Sequence, residues 1–387
     1  MNYELNEFQR AFQATARKFA EQALVPFAQE WDQTAFFPKD TFKEAGKLGF
    51  MAMYIPEEYG GIGLSRLDST LIMEELAAGC TATAAFISIH NMAFNMLARY
   101  AQKSVLDEWA PALASGDKLA SYCLTEPGAG SDAASLSTKA EKKDGHYILN
   151  GTKAFISGAG DTDLLIVMAR TANNGAKGIS CFAVPALTQG ISYGKKEDKL
   201  GWNSQPTRLI HFENVKIPEN HLLAEEGKGF NLAMEGLDGG RLNIAACSVG
   251  TAKASLKAAT EHVQARKQFN QAISEFQATQ FKLADMLTEL SAARQMIRLG
   301  AFKLDHQHAD KTAFCAMAKR FATDVGFRIC DEALQLHGGY GYIKDYPVER
   351  HFRDTRVHRI LEGTNEVMRL IIARRILADD NFSIIHE

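Results

Sequence analysis

The 387-residue sequence predicts an α+β protein in three successive parts: helices, a small β-domain, then a helical bundle. Two observations carry this. The hydrophobic period changes twice, from helical to strand-like near residue 119 and back to helical after Gly229. The strands also come in one block rather than alternating with helices, which argues against a doubly wound parallel sheet. The assigned parts are 1–118, 119–226 and 227–387, in keeping with a chain longer than one ordinary domain.

In the first part Leu5, Phe8, Phe12, Phe19, Ala23 and Leu24 recur at three- and four-residue steps. DSTLIMEELAAG and HNMAFNMLARYA continue that period, and IPEEYGGIGLS is a Pro/Gly-marked loop between helices. In the middle part HYILNGTKAFIS reads as a hairpin, two β-rich runs joined by Asn150-Gly151. DLLIVMAR and GISCFAVPA read as buried strands, and TRLIHFENVKIP as another ending at Pro218. In the last part the run from Phe230 through Phe269 reads as one very long helix that tolerates its glycines. Helices are also predicted over 275–304 and 313–338, with a last one starting near Asn365.

Composition removes several function classes. Hydrophobic content of 46% is globular, and a net charge of −3 with pI near 6.4 leaves no electrostatic footprint for nucleic acid. No run of ~18 apolar residues offers a membrane span. The start MNYELNEFQRAF has acidic residues and no apolar h-region, so cytoplasm is the expected compartment, although a processed mitochondrial chain would look the same. Six scattered cysteines without a C-x-x-C fit reduced, buried thiols. The usual phosphate loops, H-E-x-x-H and G-x-S-x-G are all missing. His306 and His308 read as a polar helix end rather than a metal pair, since i and i+2 point to different faces. The basic run 349–359 reads as a solvated face or a contact with one anionic ligand.

Four stretches ask for more. In HRILEGTNEVMRL, helix capping accounts for Thr364, Asn365 and Glu366, and leaves Glu362 without a structural duty. In SYCLTEPGAGSD, the turn around Gly128, Gly130 and Ser131 can offer backbone N–H groups to a polar ring edge or a phosphate, or be a plain loop. QLHGGYGY has more glycines than a C-cap needs, and ARKQF ends the long helical run. In this order and spacing, with NGTKAFISGAG between them, these stretches resemble the acyl-CoA dehydrogenase family of flavoproteins over essentially the whole chain.

The resemblance implies an N-terminal helical domain, a middle β-domain of small barrel or sandwich type, and a C-terminal four-helix bundle. It implies FAD as cofactor, an acyl-CoA substrate, a homotetramer, and electron-transferring flavoprotein as electron acceptor. The reaction removes two hydrogens across Cα–Cβ of an acyl thioester, the α-hydrogen as a proton and the β-hydrogen as a hydride to flavin N5. Glu362 is then the catalytic base, with its pKa raised by enclosure in a dry pocket. The backbone N–H of Glu362 and the flavin ribityl 2′-hydroxyl are implied to polarise the thioester carbonyl.

By the same resemblance, flavin contacts fall on Tyr122, Leu124, Thr125, Gly130 and Ser131, and on Phe155, Ile156 and Ser157. Leu124 and Thr125 would meet the pyrimidine edge, Ser157 would stand near N5, and Phe155 would flank the ring. Arg266, Phe276 and Gln277, with Gln335, Leu336, His337, Gly338 and Gly339, match positions that hold pyrophosphate and adenine across a subunit interface. Thr364, Asn365 and Glu366 complete that set. Ser131, Asp238, Gly239, Gly240, Arg241 and Arg374 match substrate-contacting positions. Some branched-chain relatives take their base from the position of Gly240, which cannot supply one.

ISIHNM, EDKLGWNSQPTR and RVHRILEGTNEVMR are similar to the valine-degradation branch, so isobutyryl-CoA, oxidised to methacrylyl-CoA, is the expected substrate. Leu361 stands where straight-chain members carry Tyr, and Phe155 where relatives often carry Trp. 2-Methylbutyryl-CoA and butyryl-CoA are the alternatives, because one methylene in an apolar pocket changes binding by only about 1–3 kcal/mol. An acyl-CoA oxidase or a non-catalytic flavoprotein on the same fold are more distant readings.

Overall fold

The computed structural model describes residues 4–378 and 383–386. The ends of the first and last assigned parts, residues 1–3, 379–382 and 387, lie outside the described residues. Helix α1 (Glu7–Phe19) opens on a capping box, in which Asn6 Oδ1 accepts from Gln9 N and Gln9 Oε1 accepts from Asn6 N. Short helices α2 (Ala28–Thr34) and α3 (Lys39–Lys47) lead to α4 (Arg66–Gly79), α5 (Thr81–Tyr100) and α6 (Lys103–Ser115). α4 and α5 are buried on nearly every side, because α7 of the C-terminal part packs against both. That explains why their apolar residues run almost without a polar face.

Strands β1 (Ala120–Cys123), β2 (Lys139–Lys143), β3 (His146–Ser157) and β4 (Leu164–Arg170) are followed by β5 (Ile179–Pro185), β6 (Ile191–Tyr193), β7 (Thr207–Pro218) and β8 (Leu222–Leu223). They form one sheet in the order β6-β7-β3-β2-β4-β5-β8, with β1 parallel to β4. β4 and β5 are buried on both faces, as their unbroken apolar runs require.

The hairpin expected at Asn150-Gly151 is not there. β3 runs straight through both residues, and the real two-residue turn is Asp144-Gly145, joining β2 to β3 with φ of 48° and 71°. Gly151 serves a close approach instead, since a Cβ there would fall 2.5 Å from Thr138 Oγ1. Asn150 Oδ1 accepts from Asn214 N across a bulge in β7. A second bulge, between Lys153 and Ile156, puts Phe155 at φ 56° and leaves its ring 69% exposed.

The last part holds α7 (Gly229–Ala265), α8 (Gln277–Asp305), α9 (Lys311–His337), α10 (Val348–Arg356) and α11 (Asn365–Leu377). α7 spans 37 residues, about 56 Å, and packs along α9, α8, α4 and α5. Its glycines allow that contact: a Cβ on Gly250 would meet Glu74 O of α4 at 2.1 Å. The helix stops at Ala265, short of the expected Phe269. Strands β9 (Lys267–Gln268) and β10 (Gln271–Ala272) intervene, closed by Phe269 and Asn270 at φ 53° and 65°. Those two left-handed residues make a hairpin turn, which a helix cannot contain.

The basic run 349–359 also departs from its reading. Arg350, His351, Asp354 and His358 are buried, and Arg353 pairs with both Asp32 and Glu349. The run is an inward-facing brace between the terminal parts rather than a solvated face. No helix among the described residues is long and apolar enough to cross a membrane.

Candidate active site

Glu362 lies in the turn between α10 and α11, in the left-handed region at φ 57°, followed by Gly363 at φ 87°. The turn aims the carboxylate at α7, where a Cβ on Gly240 would come within 2.4 Å of Glu362 Oε2. Glycine is therefore required at 240 while a glutamate points there from 362. The residue as a whole is only part-covered, yet Oε2 is sealed from solvent and has no hydrogen-bond partner. Burial pushes this carboxyl up to about 7, against the opposing pull of Arg241 and Lys319. An unpaired buried carboxylate is costly, and such groups concentrate where chemistry needs them.

The surroundings come from all three parts of the chain. Tyr122 of β1 donates to the Ala233 carbonyl of α7 at 3.3 Å, and its hydroxyl pKa is raised by burial and by the charge of Glu362. From the N-terminal part Tyr54 is partly buried with its hydroxyl sealed from solvent, and Arg66 lies 3.5 Å over its ring. Asn243 is also buried with both side-chain polar atoms unpartnered, one turn along α7 from Gly240. Sequence reasoning missed Tyr54, Arg66 and Asn243, which lie outside every motif.

The loop after β1 and the end of β3 are brought side by side. Thr125 O accepts from Ala154 N at 2.8 Å, and Ser121 Oγ donates to Ser157 O at 2.7 Å. Leu124, Thr125, Phe155, Ile156 and Ser157 thus meet, while Gly130 and Ser131 stay exposed on the rim. Lys153 and Glu126 brace this corner. Lys153 Nζ donates to Leu124 O at 3.0 Å and to Glu126 Oε1 at 2.8 Å. Glu126 also accepts from Ser137 N, Ser137 Oγ and Thr138 N. Burial alone would raise its pKa, but Lys153 and these donors hold the carboxyl down to about 2. Both residues lie inside quoted motifs, and a lysine between apolar strand positions was the signal available.

Arg241 is placed next to Glu362, and Asp238 forms a buried pair with it. Arg241 Nη1 donates to Asp238 Oδ1 at 2.7 Å, Thr312 Oγ1 donates to Asp238 Oδ2 at 2.6 Å, and Arg241 Nε reaches Glu362 O at 3.4 Å. Gly239 is covered by Arg66, whose Nη1 a Cβ would meet at 2.5 Å. Thr364 is the N-cap of α11, its Oγ1 accepting from Val367 N at 3.2 Å. Asn365 is buried, and its amide is taken up by Lys319, Thr323 and Asp324 of α9, which clamps the start of α11 to that helix. Glu366 is exposed in the first turn, and Arg374 is exposed in the last turn of α11.

The remaining expected residues gather elsewhere. A cavity of about 500 Å³ is lined by Arg266, His262, Gln335, Leu336, His337, Gly338 and Gly339. Gly338 and Gly339 face open space, where a Cβ would meet nothing within 4 Å. The His262 and His337 rings stack at 4.4 Å beside it. Phe276 and Gln277 start α8 nearby in sequence but do not line the cavity. Some 39 Å of α7 separates Arg266 from Gly240, so one chain presents two separate surfaces. Among the described residues no cluster of three or more His, Cys, Asp or Glu could hold a metal.

Three domains meet around a carboxylate whose Oε2 is sealed and unpartnered, which makes this the candidate active site. The chain belongs to the acyl-CoA dehydrogenase family: the family's N-terminal, middle and C-terminal domain models match residues 6–117, 121–215 and 227–377. It is 54% identical over 378 residues to isobutyryl-CoA dehydrogenase, mitochondrial, of Dictyostelium discoideum, covering 97% of this chain and 91% of that protein. The Bos taurus protein of the same name is 50% identical over 375 residues, covering 97% and 90%. The solved butyryl-CoA dehydrogenase of Megasphaera elsdenii superposes with a TM-score of 0.94 at 39% identity, covering 97% of this chain and all of that one. The chain is thus a flavoprotein-family oxidoreductase acting on acyl-CoA.

Proposed function

We propose that this enzyme oxidises isobutyryl-CoA to methacrylyl-CoA with Glu362 as the base. The sealed, unpartnered Oε2 of Glu362 over Gly240 carries the reading. The relatives named for isobutyryl-CoA support the acyl group, and Leu361 in place of a bulkier polar side chain leaves room for a branch at Cα.

The residues fit FAD in two places: the braced corner of Leu124, Thr125 and Phe155–Ser157, and the open cavity at Arg266 and Gln335–Gly339. Bound FAD would supply the oxidant that accepts the hydrogen leaving Cβ. Glu362 takes the proton from Cα, and its raised pKa makes it a stronger base than an ordinary carboxylate while still ionised from about pH 7 upward. Its backbone N–H is the proposed donor to the thioester oxygen, which makes the α-proton acidic enough to remove.

The distance between the two flavin surfaces supports a flavin shared across a subunit interface, hence a homotetramer as in the family. Phe281, Leu370 and Leu377 of the bundle are exposed at 63%, 53% and 83%, apolar area that partner subunits would cover. Electron-transferring flavoprotein is the proposed acceptor.

Anaerobic titration of the purified protein with isobutyryl-CoA, 2-methylbutyryl-CoA and butyryl-CoA tests this, read as loss of flavin absorbance. Fastest bleaching by isobutyryl-CoA is the expected result. Faster bleaching by another chain moves the substrate, and a colourless or unreduced protein overturns the reading.

A further inference from the structure

Two consecutive left-handed residues, Glu362 and Gly363, form the turn that aims the base. A non-glycine residue keeps that conformation only where its surroundings over-determine it. Two cations reach the turn. Arg241 gives Glu362 O a long bond of 3.4 Å, whereas Lys319 Nζ donates to Gly363 O at 2.8 Å and to Asn365 Oδ1 at 2.9 Å. Lys319 comes from α9 and is fully buried. Both of its acceptors are neutral oxygens, and the carboxylate whose charge acts on it most strongly is Glu362.

We propose that Lys319 is the positioning residue of this site: its bond to the Gly363 carbonyl locks the turn that aims Glu362, and its charge, set behind the carboxylate, keeps that carboxylate ionised. This rests on the reading of Glu362 as the base. Full pairing would quench the base and no pairing would leave it protonated, so a cation held one residue away meets both needs. The same ammonium fixes Asn365, which Thr323 and Asp324 hold from α9, so turn and helix start move as one body.

The charged neighbours are few. Glu362 faces Arg241 of α7 and Lys319 of α9, with Tyr54, Tyr122 and Cys247 close enough to feel its charge and raised by burial into their neutral forms. Lys319 faces Glu362, Arg241, Asp324 of its own helix and Glu366 of α11, and its charge helps keep buried His358 neutral. Burial lowers Lys319 to about 7, so it titrates together with Glu362 as a pair.

The test uses full-length, flavin-loaded protein and three variants. Lys319→Gln keeps an amide donor for Gly363 O and removes the charge, Lys319→Met removes both, and Lys319→Arg keeps the charge. Two quantities are measured: the pH profile of kcat/KM, and the infrared carboxylic-acid band of Glu362, assigned by its loss in Glu362→Gln. In Lys319→Gln the acid limb and the band should both move up by about 1 pH unit, with kcat at pH 7 falling roughly fivefold and KM little changed. Lys319→Met should lose more kcat, and Lys319→Arg should return the limb toward the parent. A merely structural lysine would lower the melting temperature and leave limb and band in place, and that result overturns the inference. If the variants do not hold flavin, the band titration on the flavin-free full chain decides by the same criterion. Undiminished turnover in Glu362→Gln would remove the base itself, whereas an inactive Glu362→Gln with an unmoved band in Lys319→Gln would remove only the role of Lys319.

Discussion

In the β-domain Lys153 reaches Glu126 directly at 2.8 Å, and three further donors complete the carboxylate. In the helical bundle Lys319 stops at the Gly363 carbonyl, and Glu362 is left with an unpartnered oxygen. Both regions bury one lysine near one glutamate, yet one carboxyl is held down to about 2 and the other pushed up to about 7. Direct contact makes one buried carboxylate a strut, and an offset of one residue leaves the other with a raised proton affinity, as the proposed base needs. The strut holds the loop that carries Leu124 and Thr125.

Exchange of the glutamates should break the comparison most clearly. Glu362→Gln should lower turnover by about 10²–10⁴-fold, read by anaerobic flavin bleaching, without lowering the melting temperature. A large loss of stability there would mean that Glu362 is a strut as well. Lys153→Met should do the reverse by stranding the Glu126 charge, costing about 3–5 kcal/mol in denaturant unfolding. The double variant Lys153→Met with Glu126→Leu should recover much of that, and no recovery would show that the loop needs the charges themselves.

Next in size is Gly240→Ala. The new Cβ lies 2.4 Å from Glu362 Oε2, so the carboxylate must swing away. A displacement near 1 Å costs about 10² in kcat. An unchanged kcat would place the working position of the base away from α7.

The smallest effect separates the two carboxyls by pH. The folded pKa of Glu362, about 7, lies above its ordinary 4.5, so its contribution to stability is complete below pH 4.5 and is lost as pH rises through 7. The folded pKa of Glu126, about 2, lies below 4.5, so its contribution is present above that value and is lost as pH falls toward 2. Melting temperature against pH should lose its decline between 4.5 and 7 in Glu362→Gln and keep its acid fall. Identical profiles for the parent and Glu362→Gln would show that the carboxyl is not buried in solution.

Much of this was legible in the chain. The change of period near 119 and 229 tracks the block of strands, and Thr364 caps α11 as its side chain and position require. Glu362 stood out because capping left it idle. The errors share one cause. Asn150-Gly151 has the composition of a hairpin turn, but Thr138, just before β2, and Asn214 of β7 use both residues within a continuous β3. The run 349–359 has the composition of a solvated surface, but Asp32 meets Arg353 and Ser255 meets His351 from over 90 residues away. Lys319 lies on a stripe with Cys315, Ala318 and Ala322 at helical spacing, so a lysine on a core face was visible, but its acceptors were not.

Helical and strand periods, caps and the identity of the idle carboxylate are set by neighbours a few residues apart, and the chain carries them wherever it goes. The proton affinity of Glu362 is not of that kind. It depends on burial against a glycine of α7, on Arg241 of the same helix, and on a lysine of α9 bonding one residue beyond it. Desolvation and charge pairing act through space over a few ångströms, so only the packed structure could decide that Glu126 would be a strut and Glu362 a base.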